Sequence, residues 1–260
     1  MTAQEQLSPA VVLLHGVGLD RTVWARVEAL LDREVVALDL PGHGRQPRLT
    51  RTTSLTEMAE DVIARLPAGP VHLVGFSLGS LIAQQIAADL PGRVRSLGCV
   101  SSVCARTEAE TAAVRSRLEK ARANFGESME IALDRWFPDD DEGRTQGRRA
   151  AESAAALRDE TRPVLLANDI DSYLFAYAVF AQGDREIEPR LREIAVPTLA
   201  ITGELDPGST PEMSRRLGER IPQSRVVIVD GARHMLPVTH PETLTHHLDN
   251  LFDEAERRQS

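Results

Sequence analysis

One short stretch, VHLVGFSLGSLI over residues 71–82, constrains the fold of this chain more than any other part of its sequence. It begins as an apolar run typical of a β-strand, passes through a Gly-x-Ser-x-Gly sequence centred on Ser77, and continues with the spacing of a helix. A strand that turns sharply into a helix with serine at the turn is a nucleophile elbow. Gly75 and Gly79 suit the crowding of such a turn, and helix N–H groups would lie beside the serine. The stretch therefore predicts a reactive serine at the edge of a sheet.

Apolar runs alternate with helical patterns on both sides of this elbow. Alternation of this kind indicates an α/β fold, in which a mainly parallel central sheet is covered by helices on both faces. We expect residues 1–103 and 190–260 to form this core. The predicted strands cover residues 11–14, 34–40, 71–74, 93–101, 197–202 and 225–229.

The alternation is interrupted over residues 104–189, where only helical patterns occur. Seven of the ten aromatic residues of the chain lie in this insertion. We expect a helical cap above the carboxyl ends of the strands, because an apolar ceiling would bind a substrate and exclude water. The alternative is that these aromatic side chains form only the cap's own small core. The helical patterns cover residues 108–123, 128–137, 148–159 and 172–181.

Charge and composition exclude several classes of function. The formal charge of −9 argues against nucleic-acid and anionic-membrane partners, which require a basic face. The two cysteines, Cys99 and Cys104, do not suggest a disulfide framework. The first ten residues lack a signal-peptide pattern, and no apolar run reaches the roughly 18 residues needed to span a bilayer. We expect a cytoplasmic protein with no nucleic-acid or membrane partner; the sequence leaves its oligomeric state open.

Three chemically suited residues follow three different predicted strands. Ser77, Asp206 and His234 each come just beyond the carboxyl end of a strand, where open α/β sheets bind their ligands. Rival groups are less well placed. Glu204 precedes Asp206 in its loop, and His240 begins the final predicted helix, where we expect a solvated side chain. No group of histidines and cysteines has the spacing of a zinc site, so we expect no metal.

Five motifs in this order resemble the α/β-hydrolase superfamily. The resemblance covers nearly all of the chain outside the insertion and implies an α/β-hydrolase fold. The glycines do not form a dinucleotide-binding fingerprint, so we expect no cofactor. The resemblance assigns Ser77 as nucleophile, His234 as general base and Asp206 as the acid that orients the imidazole. It also places an oxyanion hole at the backbone N–H groups of Val17 and Leu78. The matching motifs are His15-Gly16, Asp39-Leu40-Pro41-Gly42-His43-Gly44, Gly75-Phe76-Ser77-Leu78-Gly79, Gly203-Glu204-Leu205-Asp206 and Gly231-Ala232-Arg233-His234.

Within the superfamily, residues 134–137, 167–173 and 191–206 are most similar to the 3-oxoadipate enol-lactonases. This resemblance implies a small-molecule ester or lactone substrate, and by analogy one that carries a carboxylate. A substrate carboxylate would need a cation, for which Arg135 and Arg106 are the candidates. The remaining predicted substrate-binding residues are Phe76, Trp136 and Tyr173, with Trp24 as a further wall.

The chain also departs from the superfamily pattern at its start. About ten residues precede the first predicted strand, where relatives usually have two further strands. We therefore expect six strands rather than eight. Other functions of the same fold stay open: a general carboxylesterase, a C–C bond hydrolase, a cofactor-free perhydrolase, or a ligand receptor without catalysis.

Overall fold

Six strands form one parallel sheet in the computed structural model of the protein, which describes residues 9–138 and 153–258. Every pair of neighbouring strands is parallel, in the order β2-β1-β3-β4-β5-β6. All six predicted strands are confirmed, and so is the expectation of six rather than eight in the described part of the chain. The strands are β1 (Ala10–Leu14), β2 (Val35–Leu38), β3 (Val71–Phe76), β4 (Val94–Val100), β5 (Thr198–Gly203) and β6 (Ser224–Val229).

The strand order determines where a ligand site can lie. From β1 the chain moves outward to β2, and it then returns to the other side of β1 to form β3. The loops after β1 and β3 therefore diverge and leave a crevice at the carboxyl edge of the sheet, which is where such folds bind ligands. Strands β1, β3 and β5 are buried along their whole length, in agreement with their continuous apolar runs.

Helices cover both faces of the sheet. The helix over Pro211–Arg220 and the last helix, over Pro241–Arg257, both begin at a proline. A short helix, α9, precedes the last one and was not predicted. The helices outside the insertion are α1 (Ala25–Glu28), α2 (Leu55–Ala64), α3 (Leu78–Asp89), α8 (Pro211–Arg220), α9 (Leu236–Thr239) and α10 (Pro241–Arg257), with 3-10 turns at Arg21–Trp24 and Glu188–Glu193.

The described part of the insertion, called the cap below, consists of four helices joined by short non-helical segments. A side chain caps the start of each of its four helices, which explains why they begin where they do. The pattern over residues 148–159 lies partly outside the described residues. No described residue between 104 and 189 joins the sheet. The four helices are α4 (Glu108–Ala123), α5 (Phe125–Trp136), α6 (Ala154–Leu166) and α7 (Ile170–Ile187).

Two further expectations concern cysteines and membranes. Cys99 and Cys104 are buried free thiols, and burial raises the pKa of each to about 12. Among the helices that the structure describes, none is by itself long and apolar enough to cross a bilayer.

Candidate active site

Ser77 sits on a strained turn between β3 and α3. Its backbone has φ 54° and ψ −113°, in the left-handed region that residues other than glycine rarely adopt. A hydrogen bond from Ser77 N–H to the Val100 carbonyl (2.9 Å) ties the turn to β4. The neighbouring strand therefore stabilises the strained backbone, and the turn places the Ser77 hydroxyl above the end of β3.

The two elbow glycines are required by close contact with backbone atoms. A Cβ on Gly75 would lie 2.2 Å from the Gly79 carbonyl oxygen, and one on Gly79 would lie 2.4 Å from the Leu14 carbonyl oxygen. Neither position leaves room for a methyl group, because real Cβ atoms essentially never approach other heavy atoms within 3.0 Å. The Gly-x-Ser-x-Gly pattern thus reflects how tightly β3, α3 and β1 pack at this turn.

Asp206 and His234 form a buried pair at the ends of β5 and β6. Nδ1 of His234 lies 2.6 Å from Oδ2 of Asp206, and both residues are almost fully buried. The other oxygen, Oδ1 of Asp206, accepts hydrogen bonds from the N–H groups of Gly208 (2.8 Å) and Ser209 (3.0 Å). Both carboxylate oxygens therefore have hydrogen-bond partners, and Asp206 fixes one orientation of the imidazole of His234. Glu204 instead accepts the N–H of Gly231.

Aromatic rings enclose the imidazole of His234 from two sides. The indole of Trp136, from the end of α5, stacks on it at 5.8 Å with an interplanar angle of 19°. The ring of Phe76, from the end of β3, lies at 5.0 Å. Ser101, after β4, donates a hydrogen bond from Oγ to the His234 carbonyl (2.9 Å). Core and cap therefore both hold this histidine.

The loop after β1 lies directly against the serine. A Cβ on Gly16 would be 3.2 Å from Cβ of Ser77, so the loop and the nucleophile are in near contact. The carbonyl of His15 accepts the Gly79 N–H (3.1 Å), which fixes the loop to the start of α3. The Gly18 carbonyl accepts a hydrogen bond from Nδ2 of Asn168 in the cap (2.8 Å).

Two buried histidines support the same loop as hydrogen-bond acceptors. Nε2 of His15 accepts the Leu40 N–H (2.8 Å), and Nε2 of His43 accepts the Gly18 N–H (3.0 Å). Burial lowers the pKa of His15 to about 3 and that of His43 to about 4, so both rings are neutral. Because a neutral ring has only one acceptor nitrogen, each Nδ1–H must face the carbonyl beside it. Both histidines therefore have a structural role in holding this loop.

A cavity of about 50 Å³ contains all three predicted catalytic side chains. Ser77, Asp206 and His234 line it together with Val17, the predicted oxyanion residue of the β1 loop. Leu78 is the first residue of α3, directly after the serine. A larger cavity of about 460 Å³ lies between the β1 and β2 loops and the cap, but none of the three side chains reaches it. We take the smaller cavity as the candidate active site because Ser77, Asp206 and His234 line it.

Among the hydrogen bonds of the described residues, none joins Ser77 to His234. Such contacts are often long in ligand-free enzymes and tighten only when substrate is bound. The described residues also contain no group of three histidine, cysteine, aspartate or glutamate side chains arranged to hold a metal ion.

The cap contributes aromatic and cationic side chains to this cavity. Three of the predicted substrate-binding residues, Trp136, Arg135 and Tyr173, line it. Arg117 of α4 lines it as well and donates from Nε to the Tyr177 hydroxyl (3.2 Å). Burial, followed by the charge of Arg117, lowers the pKa of Arg135. Among residues 9–138 and 153–258, no carboxylate forms an ion pair with either arginine.

Three sequence-based expectations need correction. Arg106 does not serve the cavity: its Nη1 contacts Oδ1 of Asp184 at 2.7 Å, and both side chains are 1% exposed. Phe76 and Trp24 are fully buried and pack on each other, so Phe76 supports His234 rather than lining the cavity. His240 is buried, not solvated, because the chain turns there between α9 and α10.

Several residues that shape the site escaped the sequence-based reasoning. Arg117, Ser101 and Asn168 each act through a partner that is distant in the sequence. For Ser101 a local signal exists in the structure, a positive φ of 45°, but the sequence gives no sign of it. Arg117 and Ser101 belong to none of the motifs named above. Asn168 lies in the stretch 167–173, which gave no sign of its contact with the Gly18 carbonyl.

The parallel sheet with helices on both faces is the fold of an α/β hydrolase. Residues 9–241 match the family described as alpha/beta hydrolase fold, and the chain belongs to this family. The protein is therefore an enzyme of the hydrolase class, of the ester, lactone or related type.

Curated relatives cover nearly the whole chain. It is 31% identical over 237 residues to (E)-2-((N-methylformamido)methylene)succinate hydrolase of Acinetobacter baylyi, spanning 89% of this chain and 86% of that protein. It is also 31% identical over 243 residues to pimeloyl-[acyl-carrier protein] methyl ester esterase of Aeromonas hydrophila, spanning 90% and 91%.

Among solved structures, the enol-lactonase from Burkholderia xenovorans LB400 is similar in fold. Its TM-score is 0.83 at 23% sequence identity, and the alignment covers 96% of this chain and 94% of that one. The esterase from Exiguobacterium antarcticum gives a TM-score of 0.80 at 19% identity, over 95% and 92% of the chains.

Proposed function

We propose that this protein hydrolyses a small, carboxylate-bearing lactone or ester through a covalent acyl-serine intermediate. One observation carries the proposal: a serine on a strained elbow and a buried Asp–His pair line the same small cavity. This is the set that nucleophilic acyl transfer requires, since serine is a weak nucleophile without an adjacent base.

The geometry supports a separate role for each group. Oγ of Ser77 attacks the acyl carbon while Nε2 of His234 takes its proton. Asp206 accepts the Nδ1–H of the imidazole and stabilises the imidazolium that forms. His234 then protonates the leaving oxygen, which in a lactone remains part of the same molecule. In the second half, His234 deprotonates a water that attacks the acyl-serine, and the proton returns to Ser77 as the acid is released.

The oxyanion of the tetrahedral intermediate needs donors beside Ser77. We assign this role to the N–H groups of Val17 and Leu78, because the β1 loop touches the serine and Leu78 opens α3. Loss of one such donor costs about 3 kcal/mol of transition-state stabilisation. The hydrogen bonds of His15 and His43 keep the loop in place for this purpose.

The cap supports a substrate with a carboxylate. Arg135 lines the cavity beside the catalytic groups and has no acidic partner among the described residues. Its planar guanidinium group is suited to bidentate binding of a carboxylate. The relative from Acinetobacter baylyi is named for a substituted succinate, which carries two carboxylates. Trp136 and Tyr173 provide flat apolar walls for a compact, unsaturated ring.

Turnover of p-nitrophenyl acetate by the wild type and its variants tests the catalytic assignment. Ser77→Ala should abolish turnover at unchanged thermal stability, and Asp206→Asn should lower kcat by a smaller factor, since the base survives in the wrong tautomer. Full activity of Ser77→Ala would refute the mechanism and favour a receptor on this fold.

A pH-stat comparison of a carboxylated lactone with its methyl ester tests the substrate assignment. Arg135→Met should lower kcat/KM for the carboxylated compound at least tenfold, which corresponds to about 1.4 kcal/mol, and affect the methyl ester much less. Arg122→Met, an exposed residue of α4, is the matched control. If the neutral ester is preferred and Arg135→Met matches the control, the protein is a general carboxylesterase. Turnover of a C–C substrate but no ester would favour a C–C bond hydrolase.

A further inference from the structure

The catalytic side chains have little contact with solvent, so a substrate needs a route to them. Ser77 is 4% exposed, His234 8% and Asp206 2%. The cavity around them is about 50 Å³, which is small for an open cleft. A route must therefore pass between the side chains that form the cavity wall.

A second pocket lies on the other side of part of that wall. It has a volume of about 40 Å³ and lies between α4 and α5, where Lys120 and Ile131 reach the surface of the cap. Six residues line both this outer pocket and the catalytic cavity, so only their side chains separate the two spaces. They are Arg117, Met129, Ala132, Arg135, Tyr173 and Tyr177.

The outer pocket has a marked positive charge. Arg117, Arg135 and Lys120 line it, and its described lining includes no acidic residue. The whole chain carries a net charge of −9, so an anionic substrate is repelled by most of the molecule. A local cluster of cations at the mouth of a pocket concentrates anions there and raises their rate of association. Ile131, 47% exposed, adds an apolar rim.

The geometry points to the α4–α5 pocket as the entrance to the active site, a cationic passage that guides a carboxylate-bearing substrate past Arg117 and Arg135 to Ser77. The inference rests on the function proposed above, because it takes the substrate to be an anion hydrolysed at Ser77. The wall itself supports it: the long side chains of two arginines and a methionine form much of the partition, and such side chains change rotamer readily. In this arrangement the two arginines act twice, first as guides and then as carboxylate ligands.

A charge reversal at the mouth tests the passage. The probes are mono-p-nitrophenyl glutarate, which is anionic, and p-nitrophenyl acetate, which is neutral. Lys120→Glu should lower the ratio of their kcat/KM values (anionic over neutral) about tenfold at low salt, and less in 0.5 M NaCl, because salt screens exposed charges. The matched control is Arg122→Glu in the same turn of α4, which does not line the pocket and should leave the ratio unchanged.

A steric block gives a second, independent measurement. Ile131→Trp should lower kcat/KM for the anionic probe at least fivefold, whereas Leu166→Trp, at an equally exposed apolar position of α6 outside the pocket, should not. Equal effects within either pair of variants would overturn the passage. So would a wild type that does not favour the anionic probe. These outcomes are separate from a failure of the proposed function, which Ser77→Ala with full turnover would reveal.

Discussion

Replacing His72 tests how strongly a buried neutral imidazole makes this fold sensitive to acid. His72 lies in β3, five residues before the nucleophile, with Nδ1 2.8 Å from Oγ of Ser96 in β4. Its ring packs on Phe252 of α10 with 4.6 Å between centroids. Burial lowers its pKa from 6.5 to about 4, although Glu256 nearby acts in the opposite direction. The ring is therefore neutral in the folded protein at pH 5 and charged in the unfolded chain.

The sign and size of the effect follow from these two pKa values. At pH 5 the unfolded chain binds about 0.9 more protons at this site than the folded protein does. The free energy of unfolding therefore falls on acidification by about 1.2 kcal/mol per pH unit. Between pH 7 and pH 4 the loss sums to about 3 kcal/mol and then levels off below the folded pKa. The stability is fully present above pH 6.5 and is lost as the pH falls toward 4.

Urea unfolding at several pH values between 7 and 4.5 measures this slope. His72→Gln should lower the free energy of unfolding at pH 7 through lost packing. It should also reduce the slope of that free energy against pH by the amount that corresponds to about one proton. The slope is the informative quantity because it does not depend on how much packing is lost. His246→Gln, at an exposed position of α10, controls for the removal of a histidine as such. An unchanged slope in His72→Gln would refute the view that burial holds this ring neutral.

Three further predictions concern the site and its support. Ser77→Ala and His234→Ala should each lower kcat by about 10⁴-fold or more, and the double variant no further, since the two act as a unit; additive losses in steady-state assays would contradict this. Gly79→Ala should lower kcat about 100-fold in a folded protein, because its Cβ would lie 2.4 Å from a carbonyl oxygen and displace the elbow; wild-type kcat would show that the turn has room. Arg106→Met should destabilise the protein by about 3–5 kcal/mol in urea unfolding, because Asp184 is left buried without a counter-charge and keeps only the backbone N–H of residue 106. Adding Asp184→Leu should recover much of this loss, and no recovery would mean that packing dominates.

The sheet and the common position of Ser77, Asp206 and His234 at its edge were predictable because their signals are local. Each strand is a short apolar run, and Ser77, Asp206 and His234 each follow such a run at a short distance. Parallel strands bring their carboxyl ends to one edge, so three local signals become one site without knowledge of any long-range contact.

The contacts of the cap were not predictable for the opposite reason. Arg117 meets Tyr177 across 60 residues of sequence, and Arg106 meets Asp184 across 78. Helical periodicity indicates that α4 and α7 exist. It does not indicate that Arg117 of α4 faces a cavity, or that Arg106, just before α4, faces a buried aspartate of α7. The burial of His240 was missed because α9 has only four residues, too few to show a period.

The stacking of Trp136 on His234 has a consequence for protein engineering. Cap segments are natural units to exchange between relatives, because they carry much of the substrate-facing surface. Here such an exchange would also remove one of the two rings that confine the imidazole of His234, unless the incoming segment supplies an aromatic side chain at the end of its second helix. We expect a chimera of this kind to lose hydrolytic activity as well as its original substrate selectivity. When the cap of this enzyme is exchanged, the last turn of α5, which carries Trp136, should therefore be kept from this chain.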